Sequence, residues 1–430
     1  MFRFPASFLR NLGWQYVANA GAAVLGALHQ LAVASSIGAT DYGLFALGFA
    51  FSSLVFGCFD PRLQEVCIRY FSEFMDSRKP ESLEAMLRLA LWVDVVTRAL
   101  GFVVLLLLAH FASRTLLKVE DGETVLLAYA LWLFGARLGN APAVGIVRVL
   151  DRFDVHAKVV VFDWSMRLAA VLVVIALGKA SLMLLILVSG AAAVIANITL
   201  VVFSMRLLKS RNVPVLGGPM AALSPRRREL RAFMASSYSI SIVDSVVRDL
   251  DTTIVGWFLP LDSVAVYRMA KNFALMVWKA GDPIFFVVMP ELSRMVQNND
   301  IAAIRTFVFG LARILFAGAI VLLGVAVALV PLITEWFLGP GFERVPIVFL
   351  FSSGWIVVSL PIIWTHALAY ANGKPHLQLS ANIIGNALAA VLLVVLTPLF
   401  GVIGAATSVS IGYAVTFLAA LAFLRIQRLV

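Results

Sequence analysis

The stretch VDSVVRDLD, residues 243–251, sets Asp244, Arg248, Asp249 and Asp251 inside a run that otherwise has the character of lipid-soluble core. A charge at the centre of a bilayer costs roughly 2.5–3.5 kcal/mol on insertion scales, so ionisable groups there are rare and face a cavity or a partner. The pattern recurs. Asp94 precedes Arg98, Asp163 precedes Arg167, and Asp244 precedes Arg248, each by four residues. That spacing puts both groups on one helix face, a turn apart. A self-neutralised pair that eases insertion and an ion pair lining a hydrated cavity both fit it.

Around Arg248 the acids outnumber the base, so further positive charge is expected from residues 261–283, LDSVAVYRMAKNFALMVWKAGDP. There Arg268, Asn272, Leu275, Lys279 and Asp282 follow helical spacing, with Lys271 beside them. Arg137 has no acid three or four residues away and is read as the base most open to an anionic ligand. Arginine suits phosphate through its forked donors, and lysine acts as a point charge. The candidate anion-binding set is therefore Arg137, Arg248, Lys271, Lys279, Arg268 and Arg98. Asp244, Asp249, Asp251, Asp163 and Asp282 are assigned to balancing these bases or binding a coupling H⁺ or Na⁺.

Such residues must be carried by membrane helices. Of 430 residues 61% are hydrophobic and 13% charged, where a soluble protein has about 25% charged. Apolar runs of ~20 residues mark spans. They fall near 13–37, 43–60, 84–111, 124–149, 156–178, 181–206, 232–259, 263–290, 306–331, 345–370, 376–398 and 402–424. The expected fold is thus an all-α polytopic membrane protein of about twelve transmembrane helices. The N-terminus, with Arg3 and Arg10 before a run long enough to span, reads as an uncleaved first helix rather than a secretory signal.

The connections alternate. One set is basic: Arg62, Arg69, Arg78 and Lys79; Arg148, Arg152 and Lys158; the Arg-rich 206–231; Arg294 and Arg305; Lys374; Arg425 and Arg428. The other set is poor in Lys and Arg. By the positive-inside rule the basic set, with both termini, is cytoplasmic. Residues 207–231 read as a cytoplasmic basic linker between a first six-helix lobe, 1–206, and a second, 232–430. IGATDYGLFALGF after the first span and LPLDSVAVYRMAKNF after the seventh hold equivalent places in the two halves, as in duplicated transporters. Cys58 and Cys67 build no disulfide framework or metal cluster. His29 reads as an interhelical hydrogen-bonding group.

The segment ALAYANGKPHLQLSANIIGNALAAVLLVVLTPLFGVIGAATSVSIGYAV, 367–415, resembles the last two helices of bacterial polysaccharide and oligosaccharide flippases. The likeness rests on Gly373-Lys374-Pro375, Asn382 and Asn386, Pro398-Leu399-Phe400-Gly401 and Gly404-Ala405-Ala406. IGATDYGLFAL, VRVLDRFD, MPELSRM and ITEWFLGPGF are similar to that family's recurring turns. Its members belong to the multidrug, oligosaccharidyl-lipid and polysaccharide exporter superfamily.

The resemblance implies two six-helix lobes around a central cavity, working by alternating access. It implies a polyprenyl-diphosphate-linked glycan as cargo, moved from the cytoplasmic to the periplasmic leaflet of the bacterial inner membrane for lipopolysaccharide or other surface-polysaccharide assembly. Membrane lipid and glycan-assembly proteins are the further partners expected, with no nucleic acid and no cofactor. A cation-coupled multidrug exporter of the same superfamily is the nearest alternative. A polysaccharide polymerase or ligase is the alternative of another class, but no nucleophile–base pair, Gly-rich phosphate loop or metal motif supports an enzyme.

Overall fold

The computed structural model describes residues 6–76, 80–211, 218–279, 281–298 and 300–427. Arg3, Arg78, Lys79 and Arg428 lie outside these residues, and so do the side chains of Asp244, Arg248 and Asp282. Inside a bilayer every backbone polar group needs an internal partner, which α-helices supply. The described residues form helices and short turns with no strand.

Eight helical segments are long and apolar enough to cross a membrane. Two of them, of 45 and 51 residues, exceed the ~20 residues a single crossing needs. The first belongs to α1 (Ala6–Gly57), which is broken at Gly38, φ 77°. The second belongs to α15 (Pro375–Ile426), which is broken at Gly401, φ 60°. Glycine alone takes such positive φ without penalty, so each long segment divides into two passes at a glycine. The charged α8 (Arg227–Phe258) is of spanning length but is not among the eight. Together with the pair α9 (Leu261–Lys279) and α10 (Asp282–Gln297), it completes the twelve passes expected from the sequence.

The chain divides into two compact units, Met1–Ile37 with Leu47–Leu250 and Gly38–Ala46 with Asp251–Val430. The first unit holds most of α1, α2 (Leu63–Asp76), α3 (Pro80–Ala112), α4 (Gly122–Arg137), α5 (Asn140–Val149), α6 (Phe153–Ala176), α7 (Leu182–Ser210) and the start of α8. The second holds the end of α8, α9, α10, α11 (Ile301–Phe337), α12 (Val345–Ser353), α13 (Trp355–Ser359), α14 (Trp364–Ala371) and α15. Pro361 sits in a 3₁₀ turn that separates α13 from α14.

Two features differ from the sequence reading. Residues 63–76, taken as part of a connection, form the amphipathic helix α2, whose Val66, Tyr70 and Phe71 are buried against Leu83 and Met86 of α3. The basic segment does not mark the division between units. Its described part packs on the first unit, with Leu223 and Leu230 in the same apolar cluster as Tyr70. Burying a leucine side chain contributes about 1.5–3 kcal/mol, enough to fix the segment. Arg226 then pairs with Glu73, and Glu229 with Arg69 at 2.8 Å.

In the second unit the segment 38–46 belongs with residues far along the chain. Gly43 lies so close to the Leu261 carbonyl that a Cβ would overlap it. Gly341 meets Ala39, and the Tyr42 ring is 5.9 Å from that of Phe342. The turns IGATDYG and LPLDS, matched above as equivalents in two halves, therefore touch, with GPGF packed beside them.

Candidate functional site

In the first unit the site is organised by an interruption in the fourth span, between α4 and α5. The local sequence Arg137-Leu138-Gly139-Asn140-Ala141-Pro142 dictates it. Leu138 turns extended, ψ 120°, and Gly139 adopts φ +72°. In a continuous helix the Leu138 carbonyl would accept from the nitrogen of residue 142, but Pro142 has no N–H. The Gly135 carbonyl likewise loses Gly139, whose N–H points elsewhere.

One side chain satisfies both carbonyls. Asn197 of α7 donates from Nδ2 to the Gly135 carbonyl at 3.0 Å and to the Leu138 carbonyl at 2.9 Å. Its Oδ1 accepts from Asn140 Nδ2 at 2.9 Å. The displaced Gly139 N–H donates to Asp94 Oδ2 of α3 at 2.6 Å. Asp94 is fully buried and stands 3.3 Å from Arg98 Nε, and Arg98 Nη2 lies 3.3 Å from Asp60. Asp94 and Arg98 are therefore an i,i+4 pair, as the spacing predicted, yet each also serves another element. Arg98 is enclosed, with 3% of its side chain exposed.

Arg137 is the last residue of α4, half-buried, and donates from Nη2 to Ser53 Oγ of α1 at 3.2 Å. On α6, Asp163 and Arg167 form a bidentate pair, both bonds 2.6 Å. The Arg167 guanidinium lies 4.7 Å from the centroid of Trp164 and 5.4 Å from that of Trp132, cation–π distances. His29 is buried with Nε2 3.0 Å from Ser189 Oγ, an interhelical bond of the kind expected. Asp249, on α8, is buried as well.

The second unit is built around Asp251 at the end of α8. Lys271 Nζ and the Tyr267 hydroxyl each donate to its Oδ2 at 2.6 Å. The Thr252 N–H donates to Oδ1 at 2.6 Å, and the Thr252 hydroxyl adds a longer bond of 3.2 Å. Arg268 Nη1 in turn donates to Thr252 Oγ1 at 3.2 Å. Of the bases in residues 261–283, from which positive charge was expected, Lys271 meets Asp251 directly. The Lys271 side chain is 7% exposed and also lines a small cavity with Ser352, Trp355 and Tyr413. Lys279 is exposed in the last turn of α9. The described residues hold no group of three or more His, Cys, Asp and Glu side chains placed as metal ligands.

Sequence reasoning missed Asn197, Gly139 and Ser53. Pro142 four residues after Leu138 was the available signal for the interruption, but a single Asn on an apolar helix gives none for its partner.

The sequence profile of the family described as "Polysaccharide biosynthesis protein" matches residues 37–345. No curated protein matches the chain. Among solved structures, an inward-facing multidrug resistance MATE family transporter of the MOP superfamily superposes with TM-score 0.76 at 13% identity, covering 95% of each chain. The lipid II flippase MurJ, in an inward closed conformation, gives 0.71 at 13% identity over 96% of this chain and 88% of that one. A MATE transporter of Vibrio cholerae gives 0.65 at 13% identity over 98% and 97%. At these identities the likeness is one of fold.

Proposed function

The chain belongs to the polysaccharide biosynthesis protein family, and on that premise we propose that it is a flippase for a polyprenyl-diphosphate-linked glycan. It carries the cargo headgroup from the cytoplasmic to the periplasmic leaflet of the bacterial inner membrane, with both termini cytoplasmic, for surface-polysaccharide assembly. The observation that carries this reading is Arg137, a guanidinium set within an apolar span at a helix interruption and bonded to the Ser53 hydroxyl. Interrupted helices in transporters supply polar groups at membrane depth where a cavity needs them. The likeness in fold to a lipid II flippase supports a lipid-linked cargo.

Arg137 and Lys279, together with Arg248, are assigned to the diphosphate. Arg98 and Lys271, each buried against a carboxylate, hold the helices instead. Arg268 bonds Thr252 beside Asp251, and supports that pair. Asp163 and Asp251 pair with Arg167 and Lys271 and balance their charge, and Asp244, Asp249 and Asp282 are assigned to charge balance or to a coupling H⁺ or Na⁺. With the cytoplasm negative, outward movement of the headgroup gains roughly 2.3 kcal/mol per charge per 100 mV.

Export of cationic drugs is the second reading, favoured by the likeness to multidrug transporters and by the buried acids Asp249 and Asp251. The test is a bacterial strain lacking its own flippase, with Arg137→Ala, Arg248→Ala and Lys279→Ala introduced singly. Wild type restores surface polysaccharide, and each variant is expected to reduce it at unchanged protein level. Normal polysaccharide from all three, or drug resistance without polysaccharide, defeats the flippase assignment.

A further inference from the structure

Arg137 is fixed by more than its own hydrogen bond. The carbonyls of Gly135 and Leu138, two residues before it and one after, both accept from the single Nδ2 of Asn197. The N–H of Gly139, two residues after it, goes to Asp94. Three backbone groups at the interruption, all within two residues of Arg137, are thus tied to α3 or α7. Both ties are buried, Asp94 at 0% and Asn197 at 5% exposure.

From this geometry we infer that Asn197 and Asp94 are positioning residues for Arg137, and that they set the anion affinity of the site without touching the cargo. The inference rests on the headgroup reading above. An isolated helix end inside a membrane would close on itself or recruit water, and either change would swing the last turn of α4 and the guanidinium with it. Asn suits the place because one planar amide offers two donors to two carbonyls and still accepts from Asn140. Asp94 suits the other side because Gly139 opens α5, where backbone N–H groups favour a negative charge. Arg98 stands against that carboxylate, and Asp60 pairs with Arg98 in turn.

A purely structural role for Asn197 would alter stability and leave the anion site alone. The inference demands coupling to Arg137. Inorganic pyrophosphate is titrated by calorimetry into purified full-length protein, for wild type, Arg137→Ala, Asn197→Ala, Asp94→Asn and the double variant Arg137→Ala/Asn197→Ala. Arg137→Ala is expected to weaken binding at least tenfold. Asn197→Ala should weaken it by a similar factor in the wild-type background and have no further effect in the Arg137→Ala background. Asp94→Asn, which keeps an acceptor for the Gly139 N–H, should fall between wild type and Asn197→Ala. If Asn197→Ala does not fold, Asn197→Ser, which retains one donor, replaces it with a smaller loss expected.

Wild-type affinity in Asn197→Ala, or an equal loss in both backgrounds, overturns the positioning role and leaves the headgroup reading intact. No pyrophosphate binding by wild type, with Arg137→Ala silent in the cell assay, removes the headgroup reading and this inference with it.

Discussion

Asp94 in the first unit and Asp251 in the second are both buried acids of membrane helices, and they spend their oxygens differently. Asp94 gives one oxygen to a backbone N–H exposed by a helix interruption and shares the other with Arg98. Asp251 is saturated by Lys271, Tyr267 and its neighbour Thr252, with an intact α8 behind it. One carboxylate keeps a helix broken, and the other joins two whole helices. Charge within a span is thus no guide to role until its hydrogen-bond partners are known.

The comparison can be broken most sharply in the second unit. Removing one member of a buried ion pair leaves the other charge uncompensated, at a cost of about 3–5 kcal/mol. Asp251→Asn and Lys271→Met should each lower the melting temperature of the purified protein strongly, and the double variant should recover most of the loss. If the double variant is as unstable as the sum of the singles, Asp251 does more than neutralise Lys271.

In the first unit the penalty should be smaller and specific to the backbone. Asp94→Ala strands the Gly139 N–H, costing about 1–3 kcal/mol as an unsatisfied buried donor. Neutralising Arg98 by Arg98→Met should rescue it only in part, unlike the Lys271 case. Gly139→Ala comes next. Its positive φ costs a residue with a Cβ roughly 1–2 kcal/mol, and that Cβ would meet Val201 at 3.3 Å. Gly178, also at positive φ but with open space around it, is the control for conformation without the contact.

The smallest effects belong to the surface. The Arg69–Glu229 pair is about half exposed, and a double-mutant cycle should give under about 1 kcal/mol, falling with salt. In the turn after α11 the Gly341 N–H donates to Glu343 and holds its carboxyl below the ordinary range. Its contribution is therefore complete above about pH 4.3 and lost as pH falls through the lowered value. Glu343→Gln should abolish that acid-side loss in a melting series from pH 6 to pH 3.

Much of this was legible in the sequence. Apolar run lengths gave the spans, and the gaps left at 38–42 and 399–401 contain Gly38 and Gly401, where the two longest helices break. Four-residue spacing gave Asp94–Arg98 and Asp163–Arg167. Of the bases that the next span offers, Lys271 rather than the Arg268–Lys279 stripe meets Asp251. What could not be read depends on contacts between distant segments. Asn197 is one polar residue among apolar ones, and its task is set by Pro142 on another helix. The unit boundary was hidden for the same reason, since neither Leu223 in a basic stretch nor Gly43 in a turn announces what it packs against.

The contact of Gly43 with Leu261 sets an order of events during synthesis. From position 43 to position 261 the ribosome adds about 220 residues, which at 5–20 residues per second takes roughly 10–40 s. For that interval the nine residues Gly38–Ala46 are already made while the partners they will pack against are still untranslated. The second unit cannot close until its earliest piece has been kept available, so the nascent chain must shelter this turn from wrong neighbours well after the helices on either side of it have been made.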